Sequence, residues 1–232
     1  MILEFWDFIT TPASSEARKK GYLYNSIALA YRAKRCQESW QSHLNECHRV
    51  IQRIVRQVKP KKVCILGSGL MLETPPQLFE SCEEVHLVDI VHLKQIRAQK
   101  LDPKFKFVEM DLTEKFPTEK YDLIISANIL AQLSMIKGLT PEEIQFLHLE
   151  HFDNLRKSGA AFLIFSDFKL EYLNAKGEVT KAEDTVQKST LDSLQINWQH
   201  VWKWNVAPIP EYSKKIALRM LVGSYSELSF KS

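Results

Sequence analysis

A short apolar run, Val63-Cys64-Ile65-Leu66, passes directly into Gly67-Ser68-Gly69, and few folds accommodate that succession. Four apolar residues without alternation offer no face to water, so the segment reads as a strand buried on both sides, the habit of parallel sheets. Glycines at its end permit a sharp turn and let a ligand lie against bare backbone. Pro75 and Pro76 then suit the opening of a helix. Similar apolar runs recur at 85–88, 105–108, 123–125 and 160–165, with helix-capable segments at 91–100 and 141–156. The second of these has Pro141 in its first turn, Glu142 and Glu143 beside the positive end of the dipole, and Gly159 past its end. Strands alternating with helices argue for an α/β fold. Runs at 196–206 and 215–222 are joined by Ala-Pro-Ile-Pro-Glu-Tyr-Ser. That leaves no room for a crossover helix, so they are expected to pair antiparallel.

Ahead of the glycine turn the period is helical. Cys36, Trp40, Leu44, Cys47, Ile51, Ile54 and Val58 recur at steps of three or four, with Glu38, Ser42, Arg49, Arg53 and Arg56 opposite. The pattern predicts one helix over 25–58, ended by Pro60. A single striped helix is marginal alone and must bury its face on a neighbour. With no flexible linker at Lys59-Pro60, residues 1–59 are expected to form a helical extension, a lid on an α/β domain spanning 60–232. Arg32 and His43 share one flank of that helix, and Tyr22 and Tyr24 offer apolar walls.

Composition narrows the partners. The chain has 31 Lys+Arg against 28 Asp+Glu, a net charge of +3, too small to argue for a nucleic-acid or membrane surface. Apolar runs stay far below the roughly 18 residues that span a bilayer, and MILEFWDFITTP lacks the basic and apolar regions of a signal peptide. The four cysteines, at 36, 47, 64 and 82, show no C-x-x-C spacing; buried reduced thiols and a cytoplasmic setting are expected. The seven histidines show no metal-ligand spacing with carboxylates or cysteines, so no metal is expected.

Two carboxylates follow the glycines. Asp89 closes VHLVDI, and Asp111 follows the third strand in FVEMDL, each 22 residues beyond the feature before it. A carboxylate at the end of the second strand accepts both ribose hydroxyls of a nucleoside lying over the turn, outside the carboxyl ends of the strands. Asp111 also reads as a turn aspartate before Thr113.

Together these residues resemble the class I S-adenosylmethionine-dependent methyltransferases over about residues 60–225. ILGSGLM stands as the first motif, Asp89 as the ribose-binding acid, EMDL with Asp111 as the adenine-side acid, and YDLIISANIL as the fourth-strand motif. The resemblance implies a Rossmann-like seven-stranded sheet of order 3-2-1-4-5-7-6 with strand 7 antiparallel. It implies S-adenosylmethionine as cofactor, S-adenosylhomocysteine as product, and a cofactor site of Gly67, Ser68, Gly69, Asp89 with Ile90, Asp111 with Leu112, and Asn128. Two positions depart from the pattern: Met71 replaces a third glycine and Ile65 an acid. The loop is therefore bulkier, and the cofactor's amino group needs another partner, either Glu73 or carbonyls near Asn128.

Methyl transfer from a sulfonium depends mainly on holding donor and acceptor at attack distance, with a general base needed only for a protonated acceptor. Asn128, His43 and Arg32 are the candidates on the acceptor side. The amino-methylating N-P-P-Y type of motif is absent, with Ser126-Ala127-Asn128-Ile129 in its place. A small-molecule acceptor, or alternatively a protein, fits better than a nucleic acid, which calls for a larger basic surface. The rival readings are an NAD(P)-binding oxidoreductase, whose G-x-G-x-x-G needs glycine where Leu72 stands, and a non-catalytic interaction module of the same fold.

Overall fold

The computed structural model describes residues 2–136 and 138–228. Its centre is a mixed sheet of β1 (Lys62–Leu66), β2 (Glu84–Asp89), β3 (Phe105–Glu109), β4 (Leu123–Ala127), β5 (Ala161–Leu173), β6 (Val179–Asp184), β7 (His200–Ala207) and β8 (Ala217–Glu227). The order is β3-β2-β1-β4-β5-β8-β7, with β6 paired to β5 off this path. β1 to β5 run parallel, and β8 is antiparallel to both of its neighbours. This is the expected topology with one correction: the described residues hold an eighth strand. β6 is exposed along its whole length. It forms because β5 runs on past the parallel region to Leu173, and its free backbone pairs with Val179–Asp184 across a turn through Asn174 and Gly177.

Helices cover both faces and one edge. α1 (Ile2–Thr10), α2 (Ser15–Lys19), α3 (Tyr22–Arg35) and α4 (Gln37–Val58) precede the sheet; α5 (Lys94–Arg97), α6 (Ile129–Ser134), α7 (Pro141–Lys157) and α8 (Lys188–Ser193) lie within it. The single helix expected over 25–58 is two, broken at Cys36 (φ −105°, ψ 18°). A straight helix of that length is about 50 Å long. The break lets the two halves bury their stripes on different surfaces. α4 packs Trp40, Cys47, Ile51 and Ile54 on one sheet face, beside Trp202, Trp204 and Val206, and the Trp40 indole N–H donates to the Val206 carbonyl at 3.0 Å. α3 instead sets Leu23, Ile27 and Ala30 on Val91 and Leu93, just past the carboxyl end of β2. The helix expected over 91–100 shrinks to the single turn of α5.

The other face is covered by α6, α7 and α8. α7 opens with a full capping box, in which Thr140 Oγ1 accepts from Glu143 N–H and the Glu143 carboxylate accepts from Thr140 N–H. Inside that layer His151 lies 2.9 Å from Ser126 Oγ of β4. Burial first, and then the neighbouring His148, drive its imidazole down to about 3, so it is neutral in the fold. Unfolded, a histidine titrates near 6.5. A depressed pKa adds stability that is complete above the unfolded value and is lost as pH falls from about 6.5 towards 3. Between pH 7.5 and pH 5 the wild-type chain should lose about 2 kcal/mol on this account. His151→Gln should start lower but show a correspondingly flatter loss, measured by urea unfolding at the two pH values; equal slopes would refute the assignment.

Candidate functional site

Register brings the predicted residues to one edge. Leu66 is level with Val88 on one side and Ser126 on the other, so Gly67, Asp89 and Ala127 all sit at the carboxyl end of the sheet. Asp89 pairs with Glu109, and Met110 N–H donates to the Asp89 carbonyl at 2.9 Å. Asp111 therefore follows one step beyond. A groove at this edge is lined by Gly67, Asp89, Ile90, Asp111, Leu112 and Tyr22, with Ile129, Gln132 and Leu133 of α6, and Ile136 just past it, opposite.

The glycine turn is made by close approach. At Gly67 (φ 75°) an added Cβ would lie 2.6 Å from the Ala127 carbonyl oxygen and 2.8 Å from Ile129 Cδ1. Gly69 (φ 50°) differs, since its added Cβ meets nothing nearer than 4.0 Å. Between them, Ser68 is buried and its hydroxyl has no partner. Asp89 clasps the turn: its Oδ2 accepts from Gly69 N–H at 2.8 Å and its Oδ1 from Ile90 N–H at 2.8 Å. Burial raises the Asp89 carboxyl above its ordinary value, although those amides and His92 pull it down.

Asp111 combines both of its sequence readings. Its Oδ1 accepts from Thr113 N–H at 2.9 Å and Thr113 Oγ1 at 2.7 Å, a local turn, while Oδ2 is 3.3 Å from Lys20 Nζ of the N-terminal segment. Burial raises its carboxyl, but Thr113 and Lys20 outweigh that and hold it below the ordinary range. Asn128 adopts the left-handed conformation (φ 57°) at the start of α6 and does not cap it; its Oδ1 is buried without a partner.

Of the three acceptor-side candidates, Asn128 adjoins the groove at Ile129, while His43 and Arg32 are not among its lining residues. His43 has no exposed surface and stacks on Trp204, with ring centroids 4.2 Å apart. Its Nδ1 accepts from the Trp202 indole N–H at 3.0 Å, which leaves Nε2 as the nitrogen 3.7 Å from Glu73. Burial alone would raise Glu73, but the hydrogen bond from His43 brings its carboxyl below the ordinary value. Glu73, one expected partner for an amino group, is thus engaged within the fold. Arg32 is 3.5 Å from Glu211, which also takes Arg35 at 2.8 Å.

Other lining residues escaped sequence reasoning. Ile129, Gln132 and Leu133 share one face of α6, with Ile136 two residues past its end, a signal hidden by the brevity of that helix. Asp167, which the sequence offers as a further acid for the same cleft or as a helix cap, is not among the lining residues; it lies past the parallel part of β5, buried and pushed up to about 6 by burial, against the pull of its own amide and Thr185. Glu84, His86 and Glu119 also bring their ligand atoms within 4.8 Å of one another, a convergence that spacing along the chain does not display. They lie at the opposite end of the strands, where Lys62 and Lys106 pair with these carboxylates. No helix among the described residues is long and apolar enough to cross a membrane.

No protein-family model matches the chain, and no curated protein does. Among solved structures it is similar to the N-methyltransferase NodS of Bradyrhizobium japonicum WM9 in complex with S-adenosyl-L-homocysteine (14% identity, 76% of this chain and 86% of that one, TM-score 0.45). It is also similar to the 1,6-didemethyltoxoflavin-N1-methyltransferase of Burkholderia thailandensis (14% identity, 91% of each chain, TM-score 0.46). A third is the glycopeptide N-methyltransferase MtfA (11% identity, 75% of this chain and 89% of that one, TM-score 0.45). Likeness of this order adds nothing to the site, which rests on its own geometry.

The two glycines should separate on substitution. Gly67→Ala adds left-handed strain of about 1–2 kcal/mol and a clash with backbone that side-chain motion cannot relieve, about 1–3 kcal/mol more. Gly69→Ala should carry only the strain. Thermal unfolding should fall by roughly 2–4 °C per kcal/mol for a chain of this size, so Gly67→Ala should melt well below Gly69→Ala. Equal melting would contradict the packing described for Gly67.

Proposed function

We propose that the chain is an S-adenosylmethionine-dependent methyltransferase acting on a small-molecule acceptor. The observation that supports this reading is the groove itself, where Gly67 of the glycine turn and two acids, Asp89 and Asp111, line one carboxyl edge; next to lining residues in the chain stand Ser68 and Asn128, whose Oγ and Oδ1 are buried without a partner. Buried polar groups are costly unless hydrogen-bonded, and two orphans beside one groove mark places where a polar ligand completes the bonding. The open space at Gly69 lets such a ligand reach the backbone.

In this reading Asp89 holds the ribose hydroxyls, Asp111 and the 112–113 backbone face the adenine, and Leu133 and Ile136 pack on the base. Gly67, Ser68 and Gly69 supply the floor, and Asn128 sits nearest the acceptor. The cofactor, when bound, supplies a methyl group on an activated sulfonium. Positioning and exclusion of water are then what the protein contributes. The N-terminal helices are proposed to form the cover: α3 spans the edge, and Tyr22 and Lys20 bring it against the groove. His43 and Arg32, which the sequence offers for the acceptor side, serve in this reading to anchor α4 and to tie α3 to the 208–216 loop.

S-adenosylhomocysteine at about 100 times its dissociation constant should stabilise the chain by roughly 2.7 kcal/mol, a melting shift on the order of 5–10 °C, with no shift from NADH. Asp89→Ala should weaken binding more than tenfold, about 2–4 kcal/mol for two charge-assisted bonds, in calorimetric titration of the folded variant. A shift with NADH alone would favour the oxidoreductase, and no shift with either ligand the interaction module.

A further inference from the structure

α1 reverses the usual order of an amphipathic helix. Its acids point inward: Arg35 Nη1 is 3.3 Å from Glu4 Oε1, and Asp7 accepts from the Tyr31 hydroxyl at 2.9 Å and the Gln95 amide at 2.7 Å. Phe8 joins the cluster of Leu23 and Ile27 beneath. Positions 4, 7 and 8 share one face of a helix. The remaining arc holds Leu3, Phe5, Trp6 and Ile9, each 54–66% exposed. A helix on a globular body normally turns such residues to the core, and a contiguous apolar face left in water marks a contact surface.

Area and charge decide the occupant. Four side chains at that exposure offer roughly 400–500 Å², short of the about 800 Å² per partner that a stable protein interface buries. A lipid surface requires less, because apolar insertion and attraction to anionic headgroups act together. The charge is placed for that. Residues 1–35 hold six Lys and Arg against three Asp and Glu, while 36–232 hold 25 of each, so the whole net charge of the chain sits in the segment that carries α1. Glu211 answers Arg32 and Arg35, and Asp111 answers Lys20. Arg18 instead spends its guanidinium on the Phe8 and Thr11 carbonyls at the end of α1, which leaves its charge in place. Lys19 is exposed beside it, Lys34 is exposed over the Tyr31 ring, and Lys94 is exposed next to the Gln95 that holds Asp7.

We propose that α1 docks the chain on an anionic lipid bilayer. Leu3, Phe5, Trp6 and Ile9 enter the headgroup boundary, and Arg18, Lys19, Lys34 and Lys94 meet the anionic headgroups. The polar half that an interfacial helix needs is supplied by the body beneath it. A nine-residue helix is about 14 Å long, so the contact is shallow and reversible and depends on both the apolar face and the cations. It does not depend on what the groove binds.

Flotation of the full chain with lipid vesicles tests this. The chain should float with phosphatidylcholine vesicles containing about one-third phosphatidylserine, and at least fivefold more weakly with phosphatidylcholine alone. Raising the salt from about 0.1 M to about 0.5 M should release it. Trp6→Gln with Ile9→Gln should weaken binding roughly tenfold or more while the far-ultraviolet spectrum and the melting temperature stay unchanged, since both side chains project into solvent. Lys34→Gln with Lys94→Gln should lower affinity for the anionic vesicles by about fivefold per cation and leave the weak binding to phosphatidylcholine as it was. Three results would overturn the proposal: no flotation with the anionic vesicles, equal affinity for the two lipid compositions, or wild-type binding by the folded Trp6→Gln, Ile9→Gln chain. No flotation together with a dimer that this variant dissociates would assign the face to a second copy instead.

Discussion

The approach of the β1 turn to the end of β4 is the constraint on which the rest of the edge depends. Gly67 stands where a single methyl group would meet the Ala127 carbonyl oxygen at 2.6 Å, and its N–H is committed to Val88. Three strands are thereby closed to a common level. That level sets where Asp89 ends β2 and lets its carboxylate reach Gly69 and Ile90. It also sets where Asn128 leaves β4, with its N–H on the Phe165 carbonyl at 2.8 Å. Parallel strands make such an edge because all their carboxyl ends fall on one side, and the crossing loops collect there.

The turn also accommodates an apparent conflict. Met71 occupies the position of a third glycine and keeps the backbone that glycine favours, with φ 57°. A non-glycine residue there is strained by about 1–2 kcal/mol. The Met71 side chain is 3% exposed and joins the core beneath α4, and burying a side chain of that size contributes about 1.5–3 kcal/mol. Burial wins or breaks even, so the loop retains its path without the glycine. The bulk points into the core and leaves the groove side unfilled.

What the sequence disclosed and what it withheld follow from the range of the interactions. The parallel strands were legible because a strand buried on both faces needs apolar residues at every position, and the terminal pair because its connection is too short for a crossover. Gly67, Asp89 and Asp111 were legible as a spacing. β6 was not, because an exposed edge strand carries no apolar pattern; its six residues become a strand only through the backbone of β5. The break at Cys36 was hidden because the stripe of α3 runs on in phase into that of α4, although they bury against different surfaces. His43 looked like a flank residue on a helical wheel. Its burial is decided by Trp202 and Trp204, about 160 positions away in the chain.

The same break separates two kinds of attachment. α4 is held by a long stripe inside the main core and by hydrogen bonds to β7, among them two buried ones, from Trp40 to the Val206 carbonyl and from Trp202 to His43. α3 rests on a small satellite cluster in which Leu23, Ile27 and Ala30 meet Val91 and Leu93. Its remaining ties are largely ionic and partly exposed, with Arg32 and Arg35 on Glu211 and the nearby Lys20 on Asp111. Exposed pairs contribute about 0–1 kcal/mol each, against several kcal/mol for the stripe of α4. Local opening begins where buried apolar contact is least. The segment before Cys36 can therefore lift from the carboxyl edge while the segment after it stays in place. The cover proposed for the groove would have to move in that way to admit and release a ligand.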